Sequence, residues 1–105
     1  MAQQITRIFD ILDGYRAEFK NNDQALAEKR SGEWKYYSSA DYLRVLDELS
    51  LGLLELGVKK GDKIATVVCN SPEWAFLDMA IAQTGSVHVP IYPTISSEGY
   101  EFIFI

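Results

Sequence analysis

At 105 residues, 48% of them hydrophobic and 24% charged, the chain is long enough to bury one core and too apolar for a disordered tail. A formal net charge of -5, with no Lys/Arg cluster beyond Lys59-Lys60, argues against a nucleic-acid surface. A single cysteine, Cys69, rules out an intrachain disulfide and suits a reducing compartment, so a cytoplasmic location is expected. Met1-Ala2-Gln3-Gln4 has no basic start and no apolar run follows it, so neither a secretory leader nor a transmembrane segment is expected.

The first element is an amphipathic helix over Ile5 to Phe19, with Ile5, Ile8, Phe9, Leu12, Tyr15 and Phe19 at helical spacing. Gly14 weakens it, and Asn21-Asn22-Asp23 ends it. Ala25 to Arg30 and Trp34 to Tyr37 read as the two strands of a β-hairpin turning at Ser31-Gly32-Glu33. Ser38-Ser39-Ala40-Asp41 has the form of a capping box. The helix it opens carries Tyr42, Leu46, Leu49, Leu53 and Leu56 on one face, with Gly57 as a left-handed stop.

After the turn at 60–63, Ile64 to Cys69 is a β-branched apolar run that suits a strand covered on both faces. Ser71-Pro72-Glu73 starts the next helix, with Ser71 as the capping side chain and Pro72 at the first position. That helix, Pro72 to Thr84, is apolar nearly all round and reads as buried on several sides. Gly85 ends it, and Val87 to Ile91 forms a second apolar strand. Strand, helix, strand in this order predicts a βαβ unit with a parallel pair. Residues 96–105 fit two patterns. Ser97 can cap a helix containing Tyr100 and Ile103, whereas Tyr100, Phe102 and Phe104 alternate as in a strand. The apolar run that closes the chain reads as a cut inside a longer domain.

Several of these segments, in order, resemble the adenylate-forming superfamily of acyl-CoA synthetases, luciferases and peptide-synthetase adenylation domains. Trp34 to Tyr42 is similar to an early aromatic-turn-helix element, and Gly57 to Ala65 to a G-[VI]-x-x-G-D-x-[VI]-A loop and strand. Asn70-Ser71-Pro72-Glu73-Trp74 resembles an N-[SC]-x-E-[WF] helix start, and Ala82 to Ile91 an A-x-x-G-x-x-x-V-P junction. Tyr92-Pro93-Thr94 and Tyr100 to Phe104 lean toward the long-chain fatty-acid CoA ligases. The resemblance implies an α/β fold: N-terminal helix, β-hairpin, amphipathic helix and βαβ unit, with residues 1–105 as a partial N-terminal domain. It further implies that the full-length enzyme joins a fatty acid to CoA through an acyl-adenylate, using ATP, Mg2+ and CoA. No T-S-G-T-T-G-x-P-K-G loop and no Y-G-x-T-E occurs, and Thr84-Gly85-Ser86 reads only as a helix end. No catalytic, cofactor-binding or metal-binding residue is therefore assigned, no cofactor is expected on this stretch, and it is expected to be inactive alone.

Three local features invite a chemical reading. Cys69 beside a helix start and His88 on the neighbouring strand could form a nucleophilic pair; the plainer expectation is a buried small hydrophobe and a structural or rim histidine. Ser71 could open an anion site, but a simple cap is expected. Trp34, Tyr36, Tyr37 and Tyr42 could form a stacking surface, but core packing on one face is expected. Asp10, Asp13, Asp47, Glu48 and Glu55 read as solvated, without metal-ligand spacing. The apolar βαβ half predicts self-association, and peripheral membrane contact stays open. Two other readings are a non-catalytic α/β association domain and a ligase that adenylates a different carboxylate.

Overall fold

The computed structural model describes residues 4–105, so the leader reading, where it rests on residues 1–3, lies outside the described residues. The fold begins at Asp10. Its carboxylate accepts from the backbone N–H of Thr6 at 3.1 Å and of Arg7 at 2.9 Å, from the Thr6 hydroxyl at 3.1 Å and from Arg7 Nε at 3.1 Å. These bonds hold residues 6 and 7 outside the helix. The helix therefore starts as a 3-10 turn at Ile8–Asp10 and continues as α1, Ile11–Ala17, rather than running from Ile5 to Phe19. Asp10 is buried, which corrects its reading as solvated, while Ile5, Ile8 and Phe19 are exposed.

The Arg7 side chain first, and the Arg7 and Thr6 backbone donors after it, hold the Asp10 carboxyl at about 2, below its ordinary 3.8, against the opposing effect of burial. A carboxyl lowered by folding stabilises the fold above its unfolded pKa and loses that contribution as pH falls through its folded one. Part of the stability is thus expected to vanish between pH 3.8 and about 2. Urea midpoints measured across that window should fall for the wild type, and Asp10→Asn should flatten that part of the decline. An equally steep decline in the variant would assign acid lability elsewhere.

β1 (Leu26–Arg30) and β2 (Glu33–Tyr37) pair antiparallel, with Leu26 opposite Tyr37 and Arg30 opposite Glu33. The turn is two residues, not three. Ser31 and Gly32 have φ of 52° and 81°, the doubly left-handed turn whose twist matches a hairpin, and this draws Glu33 into the strand. Alternation then splits the aromatics. Tyr37 packs edge-on to Phe76 at 5.3 Å, whereas Trp34 and Tyr36 stack on each other at 6.4 Å on the outer face. The core reading holds for Tyr37 and Tyr42 and fails for Trp34, which is 59% exposed, and for Tyr36.

α2 (Ser39–Glu55) opens with the predicted box: Asp41 N–H donates to Ser38 Oγ at 3.0 Å and Ser38 N–H to Asp41 Oδ2 at 3.2 Å. The Ser38 backbone bond chiefly lowers the Asp41 carboxyl. Tyr42 and Leu46 are buried and Leu49 and Leu53 half-buried, but Leu56 lies past the helix and is 83% exposed. The stripe thus ends a turn earlier than its spacing suggests. Leu12, Tyr42, Leu46, Phe76 and Ala80 make the core, where α1, α2 and α3 (Pro72–Gln83) meet.

β3 (Lys63–Val67) and β4 (Val87–Ile91) pair parallel, Lys63 opposite Val87 and Val67 opposite Ile91, with α3 as the crossover. β3 stops at Val67 rather than Cys69. It is not covered on both faces: Lys63, Ala65 and Val67 are exposed while Thr66 is buried, so α3 covers one side only. Two glycine turns align the pair. Gly61 N–H donates to Gly85 O at 2.9 Å and Val87 N–H to Asp62 O at 2.7 Å. Gly85 has φ of 77°, and a Cβ there would lie 3.3 Å from Lys60 Cγ.

α3 buries Pro72, Phe76, Ala80 and Ile81. Ser71 stands at its N-cap, but its hydroxyl donates back to Cys69 O at 3.1 Å and caps no helical N–H, against expectation. The ambiguous tail is helical: α4, Ser97–Phe104. Ser96, not Ser97, caps it, accepting from Gly99 N–H at 3.2 Å. Tyr100 and Phe104 stack one turn apart at 6.5 Å, and α4 buries no residue. No helix among the described residues is long and apolar enough to cross a membrane.

Candidate functional site: the cleft at the carboxyl ends of the parallel strands

Past its carboxyl end β3 leads to the start of α3, and β4 leads into 92–94. In α/β sheets the crevice beyond the carboxyl ends of the parallel strands is the usual ligand position. Here it is a cleft of about 470 Å³. Val68, Trp74, Pro90, Ile91, Tyr92 and Pro93 give it apolar walls, and Cys69, Asn70 and Thr94 contribute polar groups. None of these lining residues carries a positive charge that could meet a phosphate. Nor does any group of three or more His, Cys, Asp or Glu side chains among the described residues suit a metal ion.

Trp74 is backed by His88, with ring centroids 5.5 Å apart. His88 Nδ1 lies 2.7 Å from Asp78 Oδ1, and Nε2 lies 2.7 Å from Thr66 Oγ1. A carboxylate only accepts, so the Nδ1 proton points to Asp78 and, in the neutral ring, Nε2 accepts the Thr66 hydroxyl. Acid, imidazole and hydroxyl follow the order used in nucleophilic catalysis. Thr66 is nevertheless buried and is no part of the cleft lining, so the arrangement offers the cleft no nucleophile. The chain instead straps α3 to both strands. Asp78 reaches further: Tyr42, in the core, has its phenol pushed up to about 12 by burial first and then by Tyr15 and Asp78.

Cys69 and His88 form no pair, because both His88 nitrogens are occupied and Cys69 is exposed at the cleft. His88 has the expected structural role; Cys69 is not the buried hydrophobe expected. The partners Asp78 and Thr66 went unnoticed in the sequence. One signal was present: Asp78 is the single acid in the body of an otherwise apolar helix, one turn after Trp74, which puts both on the face toward β4.

A second, polar opening of about 440 Å³ separates the hairpin from the start of α3. Beside it Arg30 bridges Glu28 at 3.0 Å and Glu73 at 2.8 Å. The bond to Glu73 first, and then Glu28, raise the guanidinium pKa; the Glu73 carboxyl is lowered by its own backbone N–H and then by Arg30. This pair fastens the hairpin to the crossover helix and bears on the cleft only by fixing where α3 begins.

The family model described as AMP-binding enzyme matches residues 15–105. The chain belongs to the AMP-binding enzyme family. Over 72 residues, 69% of the chain, it is 38% identical to the long-chain-fatty-acid–CoA ligase FadD15 of Mycobacterium bovis. Over 103 residues, 92% of the chain, it is 28% identical to fatty acyl-CoA synthetase A of Dictyostelium discoideum. The chain spans 12% and 15% of the lengths of these two curated relatives. The inhibitor-bound N-terminal domain of FACL13 from Mycobacterium tuberculosis superposes with a TM-score of 0.80 at 27% identity, over 95% of this chain and 24% of that one. The AMP-binding fold thus covers the hairpin, α2 and the βαβ unit together, as the ordered motifs imply.

Proposed function

We propose that this chain is part of the N-terminal domain of a long-chain fatty-acid CoA ligase. The whole enzyme converts a fatty acid, ATP and CoA into acyl-CoA, AMP and pyrophosphate in the cytoplasm. The observation that carries this reading is the family match over 15–105 together with a long-chain ligase as a relative at 38% identity. ATP, Mg2+ and CoA would be held by residues outside this stretch, since the cleft offers no positive side chain to phosphate. Residues 1–105 contribute scaffold: the hairpin, the core and the crossover on which the remainder of such a domain packs.

Residues 1–105 alone are therefore expected to release no pyrophosphate and form no thioester when mixed with ATP, Mg2+, CoA and a long-chain fatty acid. A protein extended by the segments its relatives carry should do both, with long-chain acids preferred. Thioester formed by the short chain would overturn the scaffold reading. Preference of the extended protein for short or aromatic carboxylates would overturn the substrate class. The short chain is also expected to self-associate. Val67 and Val87 on the open sheet face, Phe102 and Phe104 on α4 and Ile105 just past it are all exposed, and sedimentation showing a monomer at high concentration would sink this reading.

A further inference from the structure

The cleft wall and the polar chain behind it meet at one contact, Trp74 against His88. We propose that Asp78, His88 and Thr66 form a protonation-sensitive lock on Trp74, which tightens the cleft wall when His88 gains its second proton. This goes beyond the ligase reading and stands whichever carboxylate the enzyme uses.

Each ring nitrogen has a partner suited to both protonation states. The Nδ1 contact to Asp78, 2.7 Å here, becomes an ion pair when the ring is charged. The Thr66 hydroxyl can donate to Nε2 in the neutral ring and accept from it in the charged one, because it has one proton and two lone pairs. What changes is the charge presented to Trp74. A cation within about 6 Å of an indole centroid is attracted when it lies toward the ring face, and here the two rings are tilted by 49° with centroids 5.5 Å apart. The His88 side chain is 9% exposed but Asp78 is 42% exposed, so a proton can enter from solvent along the carboxylate.

The surroundings leave the exchange to these groups. From α3, Asp78 faces the ring and Trp74 is uncharged. From β3, Thr66 faces it, while Lys63 stands on the opposite side of the sheet by strand alternation. From α2, Tyr42 senses Asp78 but stays neutral, with its phenol near 12.

The test uses two features of the composition: one histidine, and two tryptophans of which Trp34 is exposed. In Trp34→Phe, Trp74 is the sole indole. Its emission and its quenching by acrylamide are followed across the pH range in which histidines exchange a proton. Expected is a sigmoidal change toward lower quencher access at acid pH, coincident with the imidazole proton titration followed by NMR in the same protein. Trp34→Phe/His88→Gln should lose the transition, and Trp34→Phe/Asp78→Asn should move it to lower pH. A flat Trp74 signal, a midpoint that differs from the imidazole's, or the same transition in the His88→Gln protein would overturn the lock. The comparison within Trp34→Phe alone decides the matter if a further substitution prevents folding.

Discussion

Phe76→Ala is expected to cost about 3–5 kcal/mol, the range for removing a large buried ring. Phe76 is the point at which separate parts of the chain converge. Its ring meets Tyr37 of the hairpin at 5.3 Å and Tyr42 of α2 at 5.8 Å, while its backbone belongs to the crossover helix. Deleting it removes transfer energy, opens a cavity and loosens the contacts through which the hairpin faces the helices. Single domains hold only about 5–15 kcal/mol of stability, so the variant should lose a large share of its margin. Urea denaturation should show a much lower midpoint at an unchanged slope. A loss below about 1 kcal/mol, typical of surface changes, would mean the three aromatic rings do not pack in solution as they do here.

Leu46→Ala comes next, at about 2–5 kcal/mol. Leu46 has no exposed surface and sits in the middle of the capped helix, within the cluster that holds Leu12, Phe76 and Ala80. Leu49 and Leu53 continue the same stripe but are half-buried, so each should cost less than Leu46 when cut to alanine. Leu56→Ala should be nearly silent, because that side chain is in solvent. The order Leu46, then Leu49 and Leu53, then Leu56 is the result to look for in a denaturant series. A large loss at Leu56 would show that the stripe extends to Gly57 after all and that another surface covers its end.

Boundaries set by local chemistry could be read in the sequence. The Ser38–Asp41 box, Pro72 at a helix start and the glycines at 57 and 85 act within a few residues, and each stands where it was expected. What local chemistry could not reveal was which faces find cover. The strand at 63–67 is apolar enough to be covered twice, yet α3 covers one side, because cover depends on chain brought from elsewhere. Trp34 and Tyr37 are alike in hydrophobicity, and only the two-residue turn decides which of them faces Phe76. Asp10 looked like any surface acid until four donors from Thr6 and Arg7 gathered on it. The cleft follows the same rule. His88 stood out as a lone histidine, but Thr66 and Asp78, 22 and 10 residues away, acquired meaning only through the parallel pairing.

The placement of the core along the chain bears on how the fold arises during synthesis. The buried cluster Leu12, Tyr42, Leu46, Phe76 and Ala80 precedes the second strand of the parallel pair, Val87–Ile91, to which Ile91 alone of the buried hydrophobics among the described residues belongs. A chain emerging from the ribosome amino end first can therefore gather its hairpin and helices before that strand has appeared. Parallel pairing is slow when a free loop must be closed to reach it. Here β3 and the crossover helix would already be in place, and β4 would dock onto a prepared edge. The order of assembly follows the order of translation, and α4, which buries no residue, emerges after β4.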